Sequence, residues 1–144
     1  MANPVCEVLV TETQLDAPEN RMDPATGAKV DFQGIVRSSE DGGEIEGIDY
    51  EAHREMAEHQ LKQIAQQAAI QFGIRSVIIH HRIGFVAVGQ SSLFMRVCSG
   101  HREAAFQASR WIVDELKKKV PIWKRPKFKV QNLRQVPHRE SATI

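Results

Sequence analysis

Cysteine is nearly absent from this chain: only Cys6 and Cys98 occur, far apart and in no C-x-x-C pair. That excludes a disulfide framework and gives no sign of a zinc site. Aromatic residues are scarce at 6%, and only Trp123 and Phe128 fall near the basic C-terminal run, so a stacking platform for nucleobases is poorly supplied. No apolar run approaches the roughly 20 residues needed to span a bilayer. Residues Met1 to Val10 lack the basic segment and long apolar stretch of a secretory leader. These absences lead us to expect a soluble, cytoplasmic protein in a reducing compartment. No Gly-rich phosphate loop follows a strand, which argues against a dinucleotide fold. Charge of one sign is lacking as well: Lys plus Arg is 19 against 18 for Asp plus Glu, and a net charge of +1 favours no partner.

What the chain has is the make-up of one globular domain: 144 residues, 42% hydrophobic and 26% charged, enough for a core of its own. Cys6 to Glu12 reads as a first strand and Asp16 to Gly27 as a loop. Val30, Phe32, Gly34 and Val36 recur with period two, a strand with one buried face. Ser38 to Gly43 (SSEDGG) reads as a hairpin loop or flap, with Ile45 to Glu51 as the return strand. Leu61, Ile64, Ala65, Ala68 and Phe72 give a helix from about His53 a single apolar stripe, and Gly73 stands where a left-handed cap is wanted. Ser76 to Ile83 and Leu93 to Cys98 read as a second strand pair. A second helix starts near His101, with Ser99 as N-cap and Ala105, Ser109, Ile112 and Leu116 inside, and stops at Pro121. Paired strands and two main helices predict an α+β fold with a mostly antiparallel sheet. Residues 1–125 form the expected domain and 126–144 a basic tail.

Three places could carry chemistry. In Ser99-Gly100-His101-Arg102, free amides and the helix dipole favour an anion, Gly100 permits close backbone approach, and Arg102 can add a bidentate grip. The same residues can equally be an exposed first turn. Lys117 ends the helix, and beyond Pro121 the chain can return Lys124 toward it, with Trp123 buried at the turn. A neutral lysine is a nucleophile or base and a charged one stabilises an oxyanion, whereas three lysines at a helix end can simply complement its dipole. Arg37 follows a strand and precedes a glycine-rich loop, a position suited to anion recognition or to a surface ion pair. No metal site is expected: His53 and His59 fall on different helix faces, and His80 and His81 point to opposite sides of a strand.

Taken together and in order, Gly27-Ala28, Val30 to Arg37 (VDFQGIVR), Ile48 to Ala52 (IDYEA), Met56 to Glu58, His81 to Gly84 (HRIG), Ser99 to Arg102 (SGHR), Ala105-Phe106, Leu116-Lys117 and Val120 to Lys124 (VPIWK) resemble the molybdopterin synthase catalytic (large) subunit family over about residues 5 to 125. The resemblance implies an α/β hammerhead fold and a homodimer. Each protomer would seat a small ubiquitin-like sulfur carrier, giving a heterotetramer. The carrier's Gly-Gly thiocarboxylate would deliver sulfur to cyclic pyranopterin monophosphate, forming the molybdopterin dithiolene without a metal or organic cofactor. On the same basis Lys117 and Lys124 are the catalytic amines, and Phe32 lines the pocket for the carrier tail. Ile35, Val36, Arg37, His101, Arg102, Arg125 and Pro126 border the substrate.

The chain departs from the family where Pro126 stands in place of a frequent Glu, and Lys127 to Ile144 aligns with nothing. Arg134 and Arg139 are candidates for a C-terminal arginine that crosses to the neighbouring protomer, with neither assigned. The position-126 change leaves open a catalytically silent relative that still binds the carrier. The basic run from Lys124 to Arg139, six basic residues without an acid, leaves open a nucleic-acid-binding module.

Overall fold

The computed structural model describes residues 3–19 and 23–130, together with the backbone of 141–142. In chain order the elements are β1 (Val5–Thr11), β2 (Ala28–Ile35), β3 (Ser39–Glu40), β4 (Gly43–Ala52), α1 (Arg54–Phe72), β5 (Ser76–Arg82), β6 (Gly84–Ala87), β7 (Ser91–Ser99), α2 (Arg102–Lys119), β8 (Ile122–Phe128) and β9 (Ser141–Ala142). One sheet runs β1-β5-β7-β2 and carries both helices; a second runs β3-β4-β8-β9, with β6 also paired to β4. The β1–β5 pair is parallel, as its crossover through α1 requires, and the other described pairs are antiparallel. This is the α+β architecture expected, with two main helices. No helix among the described residues is long and apolar enough to cross a membrane.

Both helices form where their apolar stripes predict. His53 caps α1 by accepting from the Met56 amide, and Gly73 (φ 66°) ends it in the left-handed conformation, its amide bonded to the Ala69 carbonyl. Leu61, Ile64, Ala65 and Ala68 are buried, while Phe72 packs edge-on against Trp111 of α2. In α2, Ala105, Ser109, Ile112 and Leu116 face inward, and the Ser109 hydroxyl donates to the Ala105 carbonyl, so it is buried without an orphaned donor. The helix ends two residues before Pro121. Between helices and sheet lie Leu61, Ile79, Leu93, Met95, Ile112 and Leu116, all fully buried.

Several local expectations change. β2 and β4 are not hairpin partners: β2 pairs with β7 in the first sheet, and β4 belongs to the second. The glycine-rich loop does make a hairpin, but between β3 and β4. Its two turn residues, Asp41 and Gly42, both have positive φ (47° and 81°), as a tight turn of this twist demands. Ser99 is not the N-cap of α2, because it is still paired to Ala28 in the sheet; His101 takes that place without a side-chain capping bond. The close backbone approach expected at Gly100 falls to Gly27: a Cβ there would lie 2.3 Å from the Gly100 carbonyl oxygen. Trp123 is about half exposed rather than a buried anchor, since on β8 it alternates with the inward-facing Ile122 and Lys124. β8 itself runs to Phe128, so Pro126 to Phe128 pair with β4 as part of the sheet.

Candidate functional site

Where the edge of the first sheet meets the second, β2, β4, β8 and α2 enclose a cavity of about 270 Å³. Ordinary strand and helix periodicities fill its walls. A register shift after Gly34 breaks the alternation of β2, so Phe32, Gly34, Ile35, Val36 and Arg37 all border the same space. Ile48 and Tyr50 alternate onto one face of β4. Lys124 stands directly across from Tyr50 on β8 and shares that face. Val113 and Lys117, four apart, line it from the flank of α2's buried stripe. Two lysines from distant parts of the chain and the strand-end arginine thus converge, next to the half-exposed apolar side chains Phe32 and Ile35.

Among the described residues the cavity is cationic with one counter-charge: Arg37, Lys117 and Lys124 face Glu40, whose carboxylate accepts a 3.1 Å bond from Lys124 Nζ and lies 3.8 Å from Arg37. Lys124 and Glu40 are largely buried, whereas Arg37 is exposed. Tyr50 is 5% exposed and hydrogen-bonded with Ser92, whose own hydroxyl donates to the Gly34 carbonyl. Burial holds the Tyr50 phenol above its ordinary pKa, so it keeps its proton. Behind it, His81 presents its ring edge-on at 5.4 Å. His81 is wholly buried; Nδ1 donates to the Arg82 carbonyl and Nε2 has no hydrogen-bond partner among the described residues. Burial lowers its pKa to about 4 and keeps it neutral. Arg82 bonds Gln90 and the Glu12 carbonyl, so this His-Arg pair supports the structure around the cavity.

Not every expected residue reaches this space. His101 and Arg102 are exposed at the start of α2, and fifteen residues of helix put Arg102 roughly 22 Å from Lys117 along the axis. Arg125 lines a neighbouring cavity of about 250 Å³ with Asp49, Glu51 and Trp123. Pro126 is buried opposite Ile48, past the β9 pairing, where a missing amide is tolerated. Arg134 and Arg139 lie outside the described residues. Conversely, Glu40, Tyr50, Ser92 and Val113 line the cavity without having been singled out. Tyr50 could have been found from its period-two relation to Ile48. Glu40 carried no such signal, because its place depends on the Asp41-Gly42 turn.

Comparison with known sequences decides the family: a sequence model of the MoaE protein family matches residues 10–119, most of the chain. The chain belongs to the MoaE protein family. Among MoaE relatives, a molybdopterin synthase catalytic subunit from Thermoplasma volcanium is 42% identical over 102 residues, covering 71% of this chain and 74% of that one. The crystal structure of molybdopterin synthase from Staphylococcus aureus superposes with a TM-score of 0.74 at 30% identity over 83% of each chain. A complex of subunits 1 and 2 of molybdopterin-converting factor from Helicobacter pylori shares the fold, with a TM-score of 0.63 at 21% identity, covering 84% of this chain and 83% of that one. The MoaE fold therefore accounts for the two-sheet arrangement that creates the cavity.

Proposed function

We propose that this MoaE-family chain is a sulfurtransferase, the catalytic subunit of a molybdopterin synthase. It takes sulfur from the thiocarboxylated C-terminus of a small ubiquitin-like carrier and places it on cyclic pyranopterin monophosphate. The names borne by its relatives support the activity, and the two-subunit Helicobacter complex supports a small partner. The observation that carries the reading is the convergence of Lys117, Lys124 and Arg37 on one cavity, beside an apolar entrance formed by Phe32 and Ile35.

The chemistry suits those groups. The thiocarboxylate sulfur bonds to a pterin side-chain carbon as a carbon–oxygen bond at that carbon breaks, the oxygen leaving on the phosphate or, protonated, as water. Water then cleaves the acyl–sulfur bond through an anionic tetrahedral species, releasing the carrier as a carboxylate and leaving sulfur on the pterin; two rounds give the dithiolene. Cations fixed in a partly desolvated cavity stabilise that anion without reorganising. Lys117, the more exposed amine, serves as the catalytic amine; Lys124 holds substrate and stabilises charge. Phe32 lines the path of the thin carrier tail, and Ile35, Val36 and Arg37 border the substrate. Arg125 and Pro126 act at its margin.

His101 and Arg102 serve the cavity of a second copy in a homodimer, since their own cavity is a helix length away. With one carrier on each protomer the assembly is a heterotetramer, working in the cytoplasm. The test is reconstitution with thiocarboxylated carrier and cyclic pyranopterin monophosphate, read as dithiolene formation. Wild-type protein should turn over, and Lys117→Ala should lose nearly all turnover while still folding. Carrier binding without turnover by the wild type would instead indicate a catalytically silent relative.

A further inference from the structure

The one acid that lines the cavity among the described residues, Glu40, is placed with unusual definition. Glu40 sits in a two-residue strand whose partner, Gly43, is fixed by the tight Asp41-Gly42 turn. Its carboxylate is therefore carried on a short hairpin rather than a long loop, and only 14% of the side chain is exposed. It reaches Lys124 across the sheet, over 84 positions of sequence, at 3.1 Å. Lys124 is similarly shielded, so the pair is screened less than a surface ion pair. Position 126 offers no carboxylate here: it is a proline, buried against β4.

We infer that Glu40 is a positioning residue that holds the Lys124 amine aimed into the cavity and thereby sets the rate of sulfur transfer. Lys124 ends in a flexible four-carbon stem, and an unpaired ammonium on such a stem samples many rotamers. Glu40 fixes one of them. It also lies 3.8 Å from Arg37, so the same carboxylate spaces two of the three cations that receive the anionic ligand. Neutralising it leaves both cations in place but removes their common anchor. The part of this inference that concerns rate rests on the sulfur-transfer reading above; the part that concerns Lys124 does not.

Two measurements separate them. Competitive acetylation of the folded protein with acetic anhydride, read by mass spectrometry, reports on the amine directly. In Glu40→Gln, Lys124 should label severalfold faster, with Lys62 and Lys118 as unchanged internal references. In the reconstituted reaction, Glu40→Gln should lower kcat about 10-fold with KM for the pterin within about twofold, an effect of misplacement rather than of lost binding. Glu40→Asp should recover part of the loss. Adding Glu40→Gln to Lys124→Ala should cost much less than it does in the wild type, because the residue acts chiefly through Lys124 and only weakly on the exposed Arg37. Equal Lys124 labelling in wild type and Glu40→Gln overturns the inference whatever the turnover; so does additivity in the double variant. Absence of dithiolene from the wild type would defeat the functional reading alone, while the labelling still decides whether Glu40 holds Lys124.

Discussion

Acid should weaken this fold through His81, before the carboxylates that are paired in the folded state begin to protonate. The imidazole is wholly buried behind Tyr50, donates Nδ1–H to the Arg82 carbonyl and has a pKa lowered to about 4 from 6.5. The unfolded chain therefore binds the proton first, so the stability contributed by the neutral ring is fully present above about pH 6.5 and is lost as pH falls toward 4. A shift of this size corresponds to about 3 kcal/mol in full, of which about 2 kcal/mol should be gone by pH 5. That is a large part of a typical domain's ~5–15 kcal/mol. The hydrogen bonds from Arg96 to Asp31 and from Lys119 to Glu115 add losses only in the lower range, since they hold those carboxyls below their ordinary values. The assay is urea unfolding from pH 7.5 to 4.5 for wild type and His81→Phe, a variant that keeps a ring against Tyr50 but cannot titrate. The difference in unfolding free energy between the two should move by about 2 kcal/mol in favour of the variant between pH 7.5 and 5. Parallel pH profiles for the two proteins would refute the assignment of a buried neutral imidazole.

Other outcomes follow from the same geometry. Gly27→Ala should lower stability by about 1–3 kcal/mol, seen as a lower urea midpoint, because the new methyl group meets the Gly100 backbone rather than a movable side chain; an unchanged midpoint would contradict that close approach. Phe32→Asp should weaken carrier binding at least about 10-fold in a titration, by placing a charge on the apolar entrance, while leaving the thermal midpoint within a few degrees; unchanged affinity would remove Phe32 from the tail's path. Mixing inactive Arg102→Ala and Lys117→Ala chains under conditions of subunit exchange should restore part of the turnover, since some cavities would then draw intact residues from both copies. Failure of any mixture to recover activity would confine each site to one chain.

The fold was legible where a periodicity settles the element. The stripes of α1 and α2, the Gly73 cap and the buried strands β5 and β7 all follow from spacing alone. Pairing was less legible, because it depends on partners far along the chain. Val30 to Val36 and Ile45 to Glu51 look like neighbours across a glycine-rich loop, yet each strand finds its apolar partner in a different sheet. The site divides in the same way. Lys117 and Lys124 converge because Pro121 turns the chain between a helix end and a strand, a local signal. Ser92 reaches the cavity through the long-range pairing of β2 with β7, and Glu40, placed by its local turn, meets Lys124 across 84 positions, a contact that no spacing rule reports. The His101-Arg102 pair shows the reverse: a plausible local anion motif whose position in its own chain lies far from the lysines.

Sulfur transfer at Lys117 is tested most directly by a quantitative single-turnover reaction between this protein, thiocarboxylated carrier and cyclic pyranopterin monophosphate, counting carriers consumed against dithiolene formed. Wild-type protein should convert two carriers to the carboxylate for each dithiolene formed, and Lys117→Ala essentially none. Dithiolene formation at the wild-type rate by Lys117→Ala, or none by the wild type with carrier bound, would contradict sulfur transfer at Lys117.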